Sequence, residues 1–285
     1  MWKAAGIMFV AMSLVPSGDA AGKLLTDGAG VSPVFVAWSR FGLGALMMLP
    51  FAPPGTLRLM ANWRIWLRGL LLAAGVTSIL TALRSAPVAD VYAAFFIGPI
   101  VSYALSAALL GERVTSARTA LVLLGFAGVL LVVRPGFDAA PGIGFAVLAG
   151  LCYGAYLTSS RWLSTLARPR ALLISQLVIG ALLLTPLGLS ASPSLSAAIA
   201  LPMGLSALCS MLGNLLLLVA YAAAPATRLA PLVYFQLPAA VALGWMVFGD
   251  LPDAITWTGM ALVLGAGLGS AALRAPPVAA RPDRA

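Results

Sequence analysis

The sequence predicts an all-α integral membrane protein of ten transmembrane helices, built as two five-helix inverted repeats with both termini cytoplasmic. Three observations carry that expectation. The 285 residues are 61% hydrophobic and 9% charged, with a mean hydropathy of +1.02, whereas a soluble domain is roughly 45–50% apolar and about 25% charged. The apolar residues fall into ten runs of about the length needed to cross a hydrocarbon core of about 30 Å. The two halves of the chain also resemble each other at an offset of 138 residues.

The ten runs lie near 4–22, 32–51, 66–83, 90–110, 116–133, 142–160, 171–189, 201–221, 229–248 and 255–273. The first has a basic start and small residues near Ala20-Ala21, as a secretory signal would. It is read as a span because it has a repeat partner at 142–160 and leads directly into the remaining pattern. The most informative stretch is Ala86 to Val133, two apolar runs separated by Gly111-Glu112-Arg113. In its degenerate copy, Ala86-Pro87 is answered by Ala224-Pro225, Gly111-Glu112 by Gly249-Asp250 and Pro99 by Pro238, one residue out of step. Gly6 falls on Gly144, Lys23 on Arg161, and Phe41-Gly42 on Ile179-Gly180. The first repeat is placed at 4–134, the second at 142–273, and residues 274–285, rich in Pro, Ala and Arg, read as a disordered cytoplasmic tail.

Five spans per unit is an odd number, so the second unit must enter the membrane inverted. With the N-terminus inside, thirteen basic residues fall in inside segments, Arg68 and Arg118 among them, and three (Lys23, Arg84, Arg134) outside. That bias sets the orientation.

The formal net charge of +9 would suggest nucleic acid in a soluble protein. Here the basic residues are scattered between apolar runs, so no nucleic-acid partner is expected; the partners are the lipid bilayer and a small-molecule substrate. With no histidine, His-based catalysis and His metal sites are excluded, and Cys152 and Cys209 lack a CxxC spacing. No cofactor, metal or catalytic residue is expected. The absence of GxxxxGK[ST] argues against ATP-driven transport by this chain.

The Pro-containing fourth span ending in Gly111-Glu112-Arg113, the Gly-rich fifth span ending in Arg134-Pro135-Gly136, and Leu83 to Pro87 resemble the EamA branch of the drug/metabolite transporter superfamily. The resemblance covers nearly the whole chain, one unit per half, and departs at Gly249-Asp250, where the family usually has Gly-Glu. It implies a secondary carrier, with amino-acid export across the bacterial inner membrane as the first expectation. Asp19, Lys23 and Arg40 resemble the group that includes S-adenosylmethionine carriers, so uptake or exchange of that larger metabolite is the alternative. A channel and an intramembrane enzyme are rivals of another class; intramembrane aspartyl proteolysis would need two carboxylates at one depth, and Asp19 alone lies well inside a span.

Alternating access needs polar and helix-breaking residues near the midplane. Tyr92, Phe96, Pro99 and Tyr103 recur at i, i+4, i+7 and i+11 on one face of span four, and Tyr234, Pro238 and Trp245 repeat the idea in span nine. A proline removes a backbone hydrogen bond and frees a carbonyl for a ligand or a hinge. Asn214 should face the protein interior because its amide is expensive in lipid. These eight residues are the candidate substrate site; their alternative role is packing or interfacial anchoring. Tyr153 and Tyr156 are secondary candidates, as are Ser13, Pro16, Thr77, Thr81 and Ser210. Asp19 and Arg40 should lie roughly 9 and 12 Å below the outer boundary, close enough in depth to pair, with Lys23 as a second cation for Asp19. This cluster is either a fixed staple or a coupling site.

Overall fold

The computed structural model describes residues 2–85, 88–112, 114–133, 142–194, 196–248 and 254–273. Among them the chain forms twelve α-helices and no strand. The first six are α1 (Trp2–Lys23), α2 (Pro33–Met48), α3 (Trp63–Ser85), α4 (Val88–Phe95), α5 (Ile97–Leu110) and α6 (Ser116–Val133). The second six are α7 (Ile143–Trp162), α8 (Pro169–Ser190), α9 (Ala197–Ala223), α10 (Ala226–Val233), α11 (Gln236–Leu243) and α12 (Ala254–Ala272). Seven segments are long and apolar enough to cross a membrane, and shorter apolar helices cover Ile97–Leu110, Ser116–Leu131 and Trp257–Ser270. Each helix or helix pair coincides with one of the ten apolar runs.

Local sequence accounts for the ends. Pro33 and Pro169 open α2 and α8, where the missing N–H costs nothing. Gly111 closes α5 at φ 63°, its N–H donating to the Ser106 carbonyl, a left-handed cap that a side chain would strain. Large apolar side chains such as Leu46, Leu109, Leu201 and Met246 stand on the outer surface, as lipid requires.

The packing repeats between the halves. Helix α1 lies on α9 as α7 lies on α3, while α2 packs against its own counterpart α8 and α6 against α12. Single contacts recur at the same offset: Lys23 Nζ donates to the Leu83 carbonyl at 3.2 Å, and 138 residues later Arg161 Nη1 donates to the Tyr221 carbonyl at 3.2 Å. These two contacts sit at opposite ends of the bundle, since α1 runs antiparallel to α9, with Gly18 beside Ser206 and Ala11 beside Gly213.

The prolines act three residues away from where the helix yields. Helices α4 and α5 are separated at Phe96, and α10 and α11 at Tyr234-Phe235. Pro99 and Pro238 each become the third residue of a new helix, where their missing N–H would be unpaired anyway. Phe96 and Tyr234 are 138 residues apart, and their rings meet edge to face at 5.7 Å. The broken first-half helix rests on α7 through glycine. A Cβ on Gly154 would stand 2.5 Å from the Gly98 carbonyl oxygen, so a side chain there would push the two backbones apart.

Two inside-loop cations behave differently from the sequence expectation. Arg68 is fully buried inside α3 and Arg118 is buried inside α6, which removes two of the thirteen orientation charges. The apolar run from Ile65 carries Arg68 into the bundle with it. Ala86-Pro87, Arg113, Arg134-Pro135-Gly136, Gly249-Asp250 and the 274–285 tail lie outside the described residues.

Candidate functional site

Between the halves lies a narrow cavity. Its wall draws Asp19 from α1, Arg40 from α2, Gly75 from α3 and Phe95 from α4, and from the second half Tyr153 of α7 and Asn214 of α9. A second, smaller cavity lies toward the Lys23 end, against Pro16, Asp19, Lys23, Tyr92 and Gly244. Asp19 is in the wall of both.

Asp19 and Arg40 form a buried ion pair, Nη1 to Oδ1 at 2.7 Å. Arg40 spends its other donors on the Gly18 carbonyl at 2.7 Å and Ser206 Oγ at 2.8 Å, and so joins α1, α2 and α9. The second carboxylate oxygen accepts from Tyr92 at 3.0 Å. Desolvating two charges is repaid only when their remaining hydrogen bonds are made, and here nearly all are. Lys23 does not serve Asp19: it pairs with Asp27 at 3.6 Å and holds the Leu83 carbonyl. Tyr92 takes the place the sequence suggested for it.

Aromatic rings run through the middle of the bundle. Phe95 lies 5.0 Å from Tyr153, which stacks on Tyr156 at 5.9 Å and 26°. Tyr92 and Phe95 each pack on Phe96, which reaches Tyr234. The Phe95 and Tyr153 rings border the cavity, so a flat solute entering it meets a ready-made stacking surface.

Deeper along α3, Arg68 has no exposed surface. Its guanidinium stands 5.0 Å over the Tyr156 ring, and donates to Ser160 Oγ at 3.1 Å, the Leu172 carbonyl at 3.0 Å, the Tyr156 hydroxyl at 3.4 Å and Gln176 Oε1. All these acceptors are neutral; no carboxylate pairs with Arg68 among the described residues. A charge buried within a spanning helix without a counter-ion is rare, which makes such a residue a marker of function.

At the opposite end of the bundle from Lys23, Glu112 binds the other half. Its two oxygens accept from the backbone N–H groups of Ala226 at 3.1 Å and Thr227 at 2.8 Å, the first turn of α10, and Arg161 Nε donates to it at 3.2 Å. A carboxylate on a helix N-terminus satisfies orphan donors and the helix dipole together. The Gly-Glu turn is thereby explained: Gly111 turns the chain and Glu112 clamps α10.

The structure brings together part of the sequence-derived site. Tyr92, Phe96 and Tyr234 are buried in one aromatic group, and Pro99 is buried beside it, while Pro238 is half-buried in α11. Asn214 joins the cavity wall, accepting from Tyr156 at 3.0 Å and donating to the Ser210 carbonyl at 2.8 Å. Tyr103 lies apart, bonded to Thr119 at 2.8 Å and packed with Val122 and Ala230. Trp245 is 51% exposed on the surface and lines neither cavity. Arg68, Gln176 and Glu112 were not among the candidate site residues read from sequence, although Glu112 was marked there as part of the Gly-Glu-Arg turn; an arginine inside an apolar run was the available signal for the first.

The sequence pattern of the EamA-like transporter family matches residues 3–134 and again 140–270. A riboflavin transporter of Rhizobium johnstonii is 33% identical over 246 residues, 81% of this chain and 78% of its own length. A riboflavin transporter of Brucella anthropi is 27% identical, over 84% and 88% of the two chains. The S-adenosylmethionine uptake transporter of Rickettsia conorii is also 27% identical, over 91% and 90%. A solved structure at 19% identity superposes with a TM-score of 0.76 over 95% of this chain and 96% of that one, a likeness of fold. Those bacterial relatives fit a setting in the inner membrane. With both halves matched, the chain belongs to the EamA-like transporter family and is a multi-pass membrane transporter.

Proposed function

We propose that this protein is a ten-span carrier of two inverted five-helix halves, termini cytoplasmic, which takes up a ring-bearing metabolite by alternating access, with riboflavin as the first candidate. The observation that carries the reading is the cavity between the halves, whose wall combines the Phe95 and Tyr153 rings with the polar groups of Asp19, Arg40 and Asn214. A flat heterocycle with a polar periphery suits that combination of stacking surface and hydrogen-bonding rim. The named substrates of the relatives, riboflavin and S-adenosylmethionine, both carry fused heteroaromatic rings, and this moves the substrate away from the amino acids first expected. The word uptake in the name of the Rickettsia conorii relative supports the inward direction.

In this reading Tyr92, Phe96 and Tyr234 frame the pathway with Pro99 and Pro238 setting the helix breaks, and Asp19 with Arg40 couples binding to movement. The Glu112 contact with the start of α10 is, in the same reading, the gate at its end of the bundle.

The test is uptake of radiolabelled riboflavin by proteoliposomes, and rescue of a riboflavin-auxotrophic host at limiting vitamin. Saturable uptake with counterflow, inhibited by excess unlabelled riboflavin, is the expected result. Absence of both uptake and rescue by well-inserted protein would end the riboflavin assignment, and non-saturating flux at channel rates would end the carrier assignment.

A further inference from the structure

Three charged side chains of the described residues are buried in or near the wall of the cavity between the halves: Asp19, Arg40 and Arg68. Asp19 and Arg40 neutralise one another. Arg68 is left with its charge, held by an amide, two hydroxyls and a carbonyl. Its neighbourhood also holds unspent hydrogen-bonding capacity. Gln176 Nε2 is buried without a partner. The single Tyr156 hydroxyl hydrogen faces two acceptors, Gln176 Oε1 at 3.1 Å and Asn214 Oδ1 at 3.0 Å. Asn214 lines the cavity, so the chain Arg68, Gln176, Tyr156, Asn214 runs from the uncompensated charge to the solute space. On α3, Leu71, Leu72 and Gly75 follow Arg68 by one to two turns and form the cavity wall itself.

Resting on the transporter reading above, we propose that Arg68, Gln176, Tyr156 and Asn214 form the recognition pole of the carrier for an oxygen-rich, electron-rich edge of the solute. That edge is a heterocyclic carbonyl or an oxyanion, so the site accepts neutral and anionic ring compounds and rejects cations. Two physical arguments support this. Asn214 lines the cavity and Arg68, Gln176 and Tyr156 stand behind its wall, where a preformed cation in low dielectric still attracts partial or full negative charge and repels positive charge more strongly than it would in water. The donor without a partner, Gln176 Nε2, is satisfied when an acceptor arrives, and a solute lacking one leaves it empty.

The decisive variant is Gln176→Glu. It places a carboxylate of nearly the same shape against Arg68 and neutralises the pole from within, so the protein should remain folded and its thermal stability should hold or rise. Solute preference should change. The probes are riboflavin, riboflavin 5′-phosphate and S-adenosylmethionine as competitors for labelled riboflavin uptake. Nicotinate, nicotinamide and 1-methylnicotinamide, the same ring with charge −1, 0 and +1, are used in thermal-shift measurements on purified protein. In the wild type the cationic member of each series should bind at least about tenfold more weakly than the others. Gln176→Glu should erase that gap, and Arg68→Lys, which keeps the charge, should retain most of it.

A wild type that binds cations as well as anions overturns the proposal. So does a folded Gln176→Glu protein with unchanged preference, because a merely structural Arg68 predicts that result. If riboflavin is not carried but the nicotinate series keeps its order, the riboflavin assignment falls and the pole stands. If riboflavin is carried without charge discrimination, the pole falls and the assignment stands. No response to any probe overturns both.

Discussion

Asp19 and Arg40 are the residues on which structure and mechanism are hardest to separate, since they bind α1 to α2 and α9 and also line the cavity between the halves. Removing one member of a buried pair strands the other, at a cost of about 3–5 kcal/mol, while removing both costs much less. A staple therefore predicts that Asp19→Asn and Arg40→Gln each lower thermal stability and that the double variant recovers both stability and transport. Coupling predicts a double variant that is stable but does not transport. We expect the second, measured by melting in detergent alongside riboflavin uptake; recovery of uptake in the double variant would reduce the pair to a staple. The depth argument from sequence sufficed to bring this pair together because two charges inside spans have few places to go. It assigned Lys23 to Asp19 wrongly, since the 14% exposed Lys23 finds Asp27 and a helix-end carbonyl within reach. Arg68 was counted as a loop residue because positive charge was used only as an orientation signal. Its neutral partners are scattered over α7 and α8, about 90 to 110 positions away in sequence, and no local pattern announces them.

Among the elements, the two broken helices were legible as proline-bearing spans, but the position of the break was not. A proline forbids the hydrogen bond back to the residue four before it, so the helix yields ahead of the ring, at Phe96 and Tyr234, and resumes with the proline in its first turn. The periodic face drawn through Tyr92, Phe96 and Tyr103 assumes one continuous helix. Once the helix is interrupted, Tyr103 turns toward Thr119 and away from the cavity. The start of α10 depends on Glu112, a residue of the other half. Glu112→Gln keeps the shape but loses the charge that holds Arg161 and two backbone donors, so we expect about 0.5–2 kcal/mol of lost stability, the usual range for a helix cap. We also expect the end of the bundle near Glu112 to open more often. Thr158→Cys, in a background lacking Cys152 and Cys209, provides a buried reporter in that half of α7. A membrane-impermeant thiol reagent applied to inverted vesicles should label it several-fold faster when Glu112→Gln is present; equal labelling would show that Glu112 only caps the helix.

At the scale of the molecule, composition and the 138-residue offset made the helical membrane fold readable in advance, because span length and apolarity are set by the bilayer and not by tertiary detail. The helix positions followed the apolar runs closely. Sidedness is the part that still rests on charge counting, and the burial of Arg68 and Arg118 makes that count smaller without reversing it. Reporter fusions at the C-terminus and within residues 190–200 are expected to read cytoplasmic and periplasmic, and either opposite signal would invert the topology. The self-similar backbone has one further consequence. Under the 138-residue exchange the Phe96–Tyr234 contact maps onto itself, yet Asp19 maps onto Leu157, Arg40 onto Val178 and Arg68 onto Ser206. The two halves are related by an approximate two-fold, but the buried charges Asp19, Arg40 and Arg68 all belong to the first, so exchanging the roles of the two halves does not return the same energy. For the proposed alternating-access cycle this predicts inward-open and outward-open forms of unequal depth, so that the empty carrier rests on one side of the membrane.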